Sequence, residues 1–570
     1  MRRIIISAIA LSLLGWIVFS SDSESFRIVQ AAERSVEDKS PESPSQPTDA
    51  PFLVISARGV EELLNDVDYF FESAGRSNFS TIVRRFLPVI GNLKGIDQTK
   101  PFGVMMMVDP GEAPDPVFVG FVPVSDLEEL TNIAIFASIT VQKKNGRNNR
   151  YEIVTGNQRY QGLLQENYLF ISSKAKTLNR RFPDPVAVTK NHTDRYDIAA
   201  SLLLRNAPHD LKNMIVDYLR AHVHSRIKKR RGESEDQYRN RTFQNRLFLM
   251  VMERLLLQGD ALTLGWNLSK DEQAASIDLS FDAKPDSSFA ILLKQLGNAP
   301  SRFDHLKKGS PALVASSTLQ WDMLDKKLLE DLFNKGTQLF LKRDSDNSLY
   351  QKKMAAFFRA LQPILKSDLL DVAFRFDGTE PGQFVLQGGV QVVREDEVKK
   401  TLVDLLGYFN EENGLSQSKP NSALHQGITL YQVSRKSKGL AEQRLYGDQC
   451  AFCFGVGPGV LWYSMGAANQ TLPALKQMID QSSGESPKDE SRKQAAMFHC
   501  TAAMSQWIEL LEIDESSSLA KLATETFSKG DDTFSIDCRS TDHGIRLRLH
   551  CDAGFIRLAS LWLLQKIEGK

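Results

Sequence analysis

Pro51-Phe52-Leu53-Val54 returns as Pro311-Ala312-Leu313-Val314, 260 positions later. Val117-Phe118-Val119-Gly120-Phe121-Val122-Pro123-Val124 returns as Val385-Leu386-Gln387-Gly388-Gly389-Val390-Gln391-Val392 at an offset of 268, which Asp109 and Asp377 share. Ile277-Asp278-Leu279-Ser280-Phe281-Asp282-Ala283 returns as Leu547-Arg548-Leu549-His550-Cys551-Asp552-Ala553 at 270, and before it Leu264, Trp266 and Leu268 keep step with Phe534, Ile536 and Cys538. Matches in one order at nearly one offset mark an internal duplication. They divide the body into a first half, residues 52–300, and a second half, residues 305–570, each expected to fold in the same way.

Two periodicities alternate inside each half. Leu211, Met214, Ile215, Tyr218 and Leu219 recur as one buried helical face, and Val398, Leu402, Leu405, Leu406 and Phe409 do the same in the second half. Ile277, Leu279 and Phe281, like Ile545, Leu547 and Leu549, instead alternate with polar residues, the signature of strands covering a core on one face. The loops 270–273 and 540–544 are too short for a parallel crossover, so these strands form antiparallel hairpins. The recurring unit is strand, helix, hairpin, helix. It begins near Leu53, Ala199, Leu313 and Met497, with further hairpins around 151–173 and 428–464. The expected fold is α+β, each half a large antiparallel sheet with helices packed on one face.

Ahead of the body, Arg2 and Arg3 precede an almost wholly apolar run over 4–19, which reads as a signal peptide covering residues 1–23 or as an uncleaved membrane anchor. Both readings export the body, to the periplasm or the extracellular space. Residues 24–51, rich in Ser, Pro and Glu, form a disordered tether. The cysteines are Cys450, Cys453, Cys500, Cys538 and Cys551, an odd number that leaves at least one thiol unpaired. One bridge between Cys538 and Cys551 and a set of buried free thiols are the alternatives. Cys450-x-x-Cys453 has no second pair and is followed by Phe454, which removes zinc, haem and thioredoxin chemistry.

Seventy basic residues balance seventy acidic ones, which excludes a globally basic nucleic-acid binder. The balance conceals one basic segment, in which Arg226, Lys228, Lys229, Arg230 and Arg231 lead into Arg239, Arg241 and Arg246. In an exported protein this segment is either a solvated connection between helices or a site for an anionic ligand, such as an envelope polymer, a lipid headgroup or an acidic partner.

The familiar chemistries are missing. The chain carries no Gly-x-Ser-x-Gly, His-Glu-x-x-His, P-loop or dinucleotide fingerprint. Gly455-Val456-Gly457-Pro458-Gly459 joins two strand-like runs as a hairpin turn, and Asp344-Ser345-Asp346-Asn347 lacks the glycine and the terminal acid of a calcium loop. His222 and His224, two apart on a helix, face different directions, and His499 and His550 read as sheet-surface residues. No catalytic residue, metal ligand or cofactor follows. The layout of signal segment, Ser/Pro/Glu tether and repeated strand–helix–hairpin body resembles the large exported proteins of unknown function of the planctomycete type; the resemblance implies an envelope location and carries over no functional residue. The expectation is a non-enzymatic binding or scaffold protein of the envelope. The alternatives are a hydrolase built on the matched strand-end acids Asp109, Asp282, Asp377 and Asp552, or a lipid or peptide carrier using a groove between the halves.

Overall fold

The computed structural model describes residues 50–75, 93–109, 115–136, 139–144, 149–321, 348–378, 380–412, 421–484, 496–510 and 518–567, with scattered positions between 326 and 341. The signal segment, nearly all of the tether and the Asp344–Asn347 stretch lie outside the described residues. In chain order the first ten strands are β1 (Leu53–Ala57), β2 (Phe102–Asp109), β3 (Asp115–Pro123), β4 (Ile139–Lys143), β5 (Arg150–Thr155), β6 (Gln158–Gln165), β7 (Tyr168–Ser172), β8 (Ile198–Leu202), β9 (Gly259–Ser269) and β10 (Ala274–Ala283). The next ten are β11 (Leu313–Gln320), β12 (Leu369–Asp377), β13 (Val385–Gln391), β14 (Asn421–His425), β15 (Ile428–Lys436), β16 (Gln449–Val456), β17 (Val460–Ala467), β18 (Phe498–Ala503), β19 (Thr533–Ser540) and β20 (Gly544–Asp552). The helices that matter below are α1 (Val60–Ser73), α2 (Leu127–Phe136), α3 (Pro185–Thr193), α4 (His209–Ile227), α5 (Glu235–Gln258), α6 (Ser288–Leu296), α7 (Ser348–Leu361), α8 (Glu395–Glu412), α9 (Ala468–Gly484) and α10 (Ala553–Ile567).

All twenty described strands belong to one antiparallel sheet. Across it they run β4, β5, β6, β7, β3, β2, β1, β8, β9, β10, then β20, β19, β18, β11, β12, β13, β17, β16, β15, β14. The order is a palindrome: counted outward from the central β10–β20 pair, each strand of the first ten sits where the strand ten later sits on the other side. In that pair Asp278 faces Arg548, Ile277 faces Leu549 and Leu279 faces Leu547. Short turns close the hairpins β9–β10, β16–β17 and β19–β20, as the sequence predicts. The turn between β16 and β17 holds Gly457 and Gly459 at φ 146° and 74°, values that favour glycine.

Side chains alternate between the two faces along every strand, so the pairing registers sort them into a front and a back. Helices cover both. On the front, Val398, Leu402, Leu405 and Leu406 of α8 share a core with Phe454, Tyr463 and Met465. On the back, Leu475, Met478 and Ile479 of α9 pack with Cys453, Val460 and Trp462. The expectation of helices on one face is therefore corrected. Its physical reason is visible in β17, where every residue of Val-Leu-Trp-Tyr-Ser-Met-Gly-Ala is buried, a continuous apolar run that calls for a cover on each side. The α4 face is corrected in part. Ile215 and Leu219 pack against the core beside the buried Lys212, Val216 and Val223, whereas Met214 and Tyr218 point to solvent.

Candidate functional site

At the centre of the sheet the two faces differ sharply. The front of β1, β2, β3, β8, β9 and β10 carries Ile55, Val104, Phe118, Ile198, Leu264, Ile277 and Leu279, and each of these large apolar side chains is between 39% and 56% exposed. They are neighbours by register: Ile55 pairs with Val104, Ile198 with Trp266, Leu264 with Leu279 and Trp266 with Ile277. Beyond the centre the same face continues through Leu547 and Leu549 of β20, Ile536 and Cys538 of β19, and Phe498 and Cys500 of β18. Helices close this front only toward the strand ends. Tyr69 and Phe70 of α1 and Ile556 of α10 pack on Trp266, Leu268 and Ala275. At the other end α4, α5 and α6 bury Leu202, Leu262 and Phe281. Between them lies an open apolar strip. Strand alternation alone implied that these positions were core.

The back of the central strands is charged. Asp278, 1% exposed, takes Nε and Nη2 of Arg548 at 2.8 and 2.9 Å, Nε of Arg546 at 2.9 Å and the Tyr196 hydroxyl at 3.1 Å, with a further bond from Arg546 Nη2. Burial pushes its pKa up, but the hydrogen bonds from Arg548 and Arg546 outweigh burial and hold the carboxyl below its usual range. Two strands on, His499 Nδ1 meets Asp537 Oδ1 at 3.0 Å, and Asp537 also takes Arg539. His550 lies 3.4 Å from Asp552. His499 and His550 are thus sheet-surface residues held by carboxylates.

One constellation resembles a nucleophile and base. His192 of α3 joins Ser56 (2.9 Å) and Ser201 (2.5 Å), and Ser201 continues to Thr263 at 2.6 Å. Ser56, Ser201 and His192 are all buried, no carboxylate bonds to the imidazole, and burial pushes the His192 pKa down to about 4. A buried neutral imidazole without an orienting acid is a bridge tying α3 to β1, β8 and β9, with no route for a substrate. Nor do the strand-end acids converge. Asp282 pairs with Gly544 and Asp552 with Ala274, at opposite ends of the β10–β20 ladder. Asp377 sits in a separate cavity with Arg375. Only the backbone of Asp109, at the end of β2, is described. Among the described residues no group of His, Cys, Asp and Glu could hold a metal ion.

The basic segment caps the α4–α5 hairpin. Lys229 is spent on Glu235 at 2.8 Å and Arg241 on Glu233 at 2.7 Å, while Arg226, Lys228, Arg230 and Arg231 are exposed at the tip. All five cysteines are free thiols. Cys538 pairs with Leu547 and Cys551 with Phe534, so register keeps those two apart and the bridge is ruled out. No helix among the described residues is long and apolar enough to cross a membrane. Compared with protein-family models, curated proteins and solved structures, the chain matches none.

Proposed function

We propose that this is an exported, non-enzymatic binding protein built of two homologous halves, and that its front strip holds the acyl chain of an amphiphilic lipid. The reading is carried by one observation: seven large apolar side chains, adjacent by register across six strands, stand open to solvent where strand alternation calls for a buried core. Six strands about 4.8 Å apart span about 24 Å, longer than the roughly 15 Å of one leaflet's hydrocarbon. A peptide suits the strip less well. The face of a sheet offers no free backbone donors or acceptors, so a peptide's own polar groups would lose water without replacement. The exposed cations Arg226, Lys228, Arg230 and Arg231 at the hairpin tip favour an anionic headgroup surface. The palindromic strand order, with Asp278 facing the residue 270 positions later, supports the duplication. The charged and then apolar N-terminus supports export.

The test is titration of the full-length protein with a fluorescent long-chain fatty acid. Saturable binding is expected, displaced by unlabelled fatty acid. Leu264→Gln with Leu279→Gln should weaken it at least tenfold, because covering the exposed halves of two leucines is together worth about 2 kcal/mol. Unchanged affinity in that double variant would sink the reading.

A further inference from the structure

A cavity of about 590 Å³ opens on the back of the sheet, remote from the strip, lined among others by His305, Lys308, Arg375, Asp377, Gln387 and Gln477. Such a volume lies within the roughly 300–1,000 Å³ typical of small-molecule sites. Its wall is assembled from four separate stretches of chain. Arg375 and Asp377 project from β12, and Gln387 of β13 is Arg375's register partner. Gln477, Met478 and Gln481 stand on one side of α9, and His305 and Leu306 come from the 3-10 turn Asp304–Lys307.

The polar groups in this wall are already arranged by one another. Arg375 donates Nε to Asp377 and Nη1 to the carbonyl oxygens of Leu306, at 3.0 Å, and Lys308. Gln387 donates Nε2 to the same Asp377 oxygen at 3.3 Å. The guanidinium and the carboxylate thereby cancel, and both are fixed in orientation. The second oxygen of Asp377, the carbonyl oxygen of Gln387 and the amides of Gln477 and Gln481 remain to meet a ligand. Leu306 and Met478, 3% and 1% exposed, give the floor an apolar patch.

This lining selects by chemistry. A phosphate or other strong anion would meet the Asp377 carboxylate and a guanidinium whose Nε and Nη1 are already spent on protein oxygens, with Lys308 as the lining's other cation. A cation would meet Arg375 and Lys308. A wholly apolar molecule would strip water from three carboxamides and an ion pair without replacing those bonds. A ligand whose groups both donate and accept suits planar amides and a paired carboxylate, and its C–H faces suit the Leu306–Met478 floor. We propose that this cavity is a binding site for a neutral sugar of mono- to disaccharide size.

Isothermal titration and saturation-transfer NMR on the full-length protein would use glucose, N-acetylglucosamine, maltose and cellobiose, with phosphate and citrate as anionic controls. At least one sugar is expected to bind in the micromolar to millimolar range. Gln477→Ala with Gln481→Ala, both on the exposed side of α9, should weaken it about tenfold without moving the melting transition. The isosteric Asp377→Asn should weaken it as well, because it converts an acceptor to a donor. Three results would each overturn the assignment: no response to any of the sugars, tighter binding of phosphate or citrate, or sugar binding that the α9 double variant leaves unchanged.

Discussion

Replacing Asp278 by Asn tests the seam of the molecule, because β10–β20 is the one ladder among the described strands that joins the first ten strands to the last ten. Asp278 is 1% exposed and accepts bonds from two guanidinium groups and a tyrosine hydroxyl. Removing one partner of a buried ion pair costs about 3–5 kcal/mol. Arg546 and Arg548 are 31% and 45% exposed and regain water readily, so the lower end applies, about 3 kcal/mol. Equilibrium urea unfolding followed by circular dichroism reads this loss directly, and a separate transition for each set of ten strands is expected if the seam opens first. The effect has a pH signature. The carboxyl's pKa is depressed in the folded protein, so its contribution is complete above its unfolded value near 4 and is lost as pH falls through the folded one. The wild-type protein and Asp278→Asn should therefore converge in strong acid. Exchanging the charges, Asp278→Arg with Arg548→Asp, restores a cross-strand pair at the same register position and should recover part of the loss. A loss below about 1 kcal/mol at pH 7, or one that persists unchanged at pH 2, would refute the view that this cluster holds the seam.

Other residues give independent checks. His192, pushed down to about 4 against an unfolded value near 6.5, favours the folded state in its neutral form; stability should fall as pH drops from 6.5 toward 4, and His192→Gln should flatten that slope in thermal melts. Asp66 of α1 is raised to about 7 by burial first and by Asp197 and Glu62 after it, and its Oδ2 is buried without a partner. Its ionisation destabilises the fold as pH rises from 4 through 7, so Asp66→Asn should stabilise by about 2 kcal/mol at pH 8 and by almost nothing at pH 4; equal gains at both would exclude the mechanism. Leu264→Gln should cost well under 1 kcal/mol, whereas Leu293→Ala in the buried core should cost about 2–5 kcal/mol, and equal costs would mean that the strip is covered. Cys450 and Cys453 have no exposed surface and should react with a thiol reagent only as fast as the protein unfolds, which pulse labelling measures.

Much of the local structure is legible along the chain. Ile277-Asp278-Leu279-Ser280-Phe281 states a strand, the four residues after Ser269 state a tight antiparallel return, and the glycines at 457 and 459 state a turn. The contrast between an apolar front and a polar back is already written in the alternation of Leu547-Arg548-Leu549-His550. The sugar cavity carries no such signal. Its residues come from β12, β13, α9 and a 3-10 turn, with Lys308 and Gln481 far apart in sequence. The partly misread α4 face shows a second limit, because an apolar stripe broad enough to include Met214 and Tyr218 does not declare which of its edges meets the body.

Sequence by itself determines which residues alternate and where turns fall, because these depend on local backbone preference and spacing. Only the tertiary structure decides which apolar stripes are covered. Burial depends on how far each helix reaches over the sheet. α1 and α10 stop over Trp266 and Leu268, while α4, α5 and α6 stop over Leu262 and Phe281. The gap between them leaves Leu264, Ile277 and Leu279 in water, with the same local pattern as a buried strand.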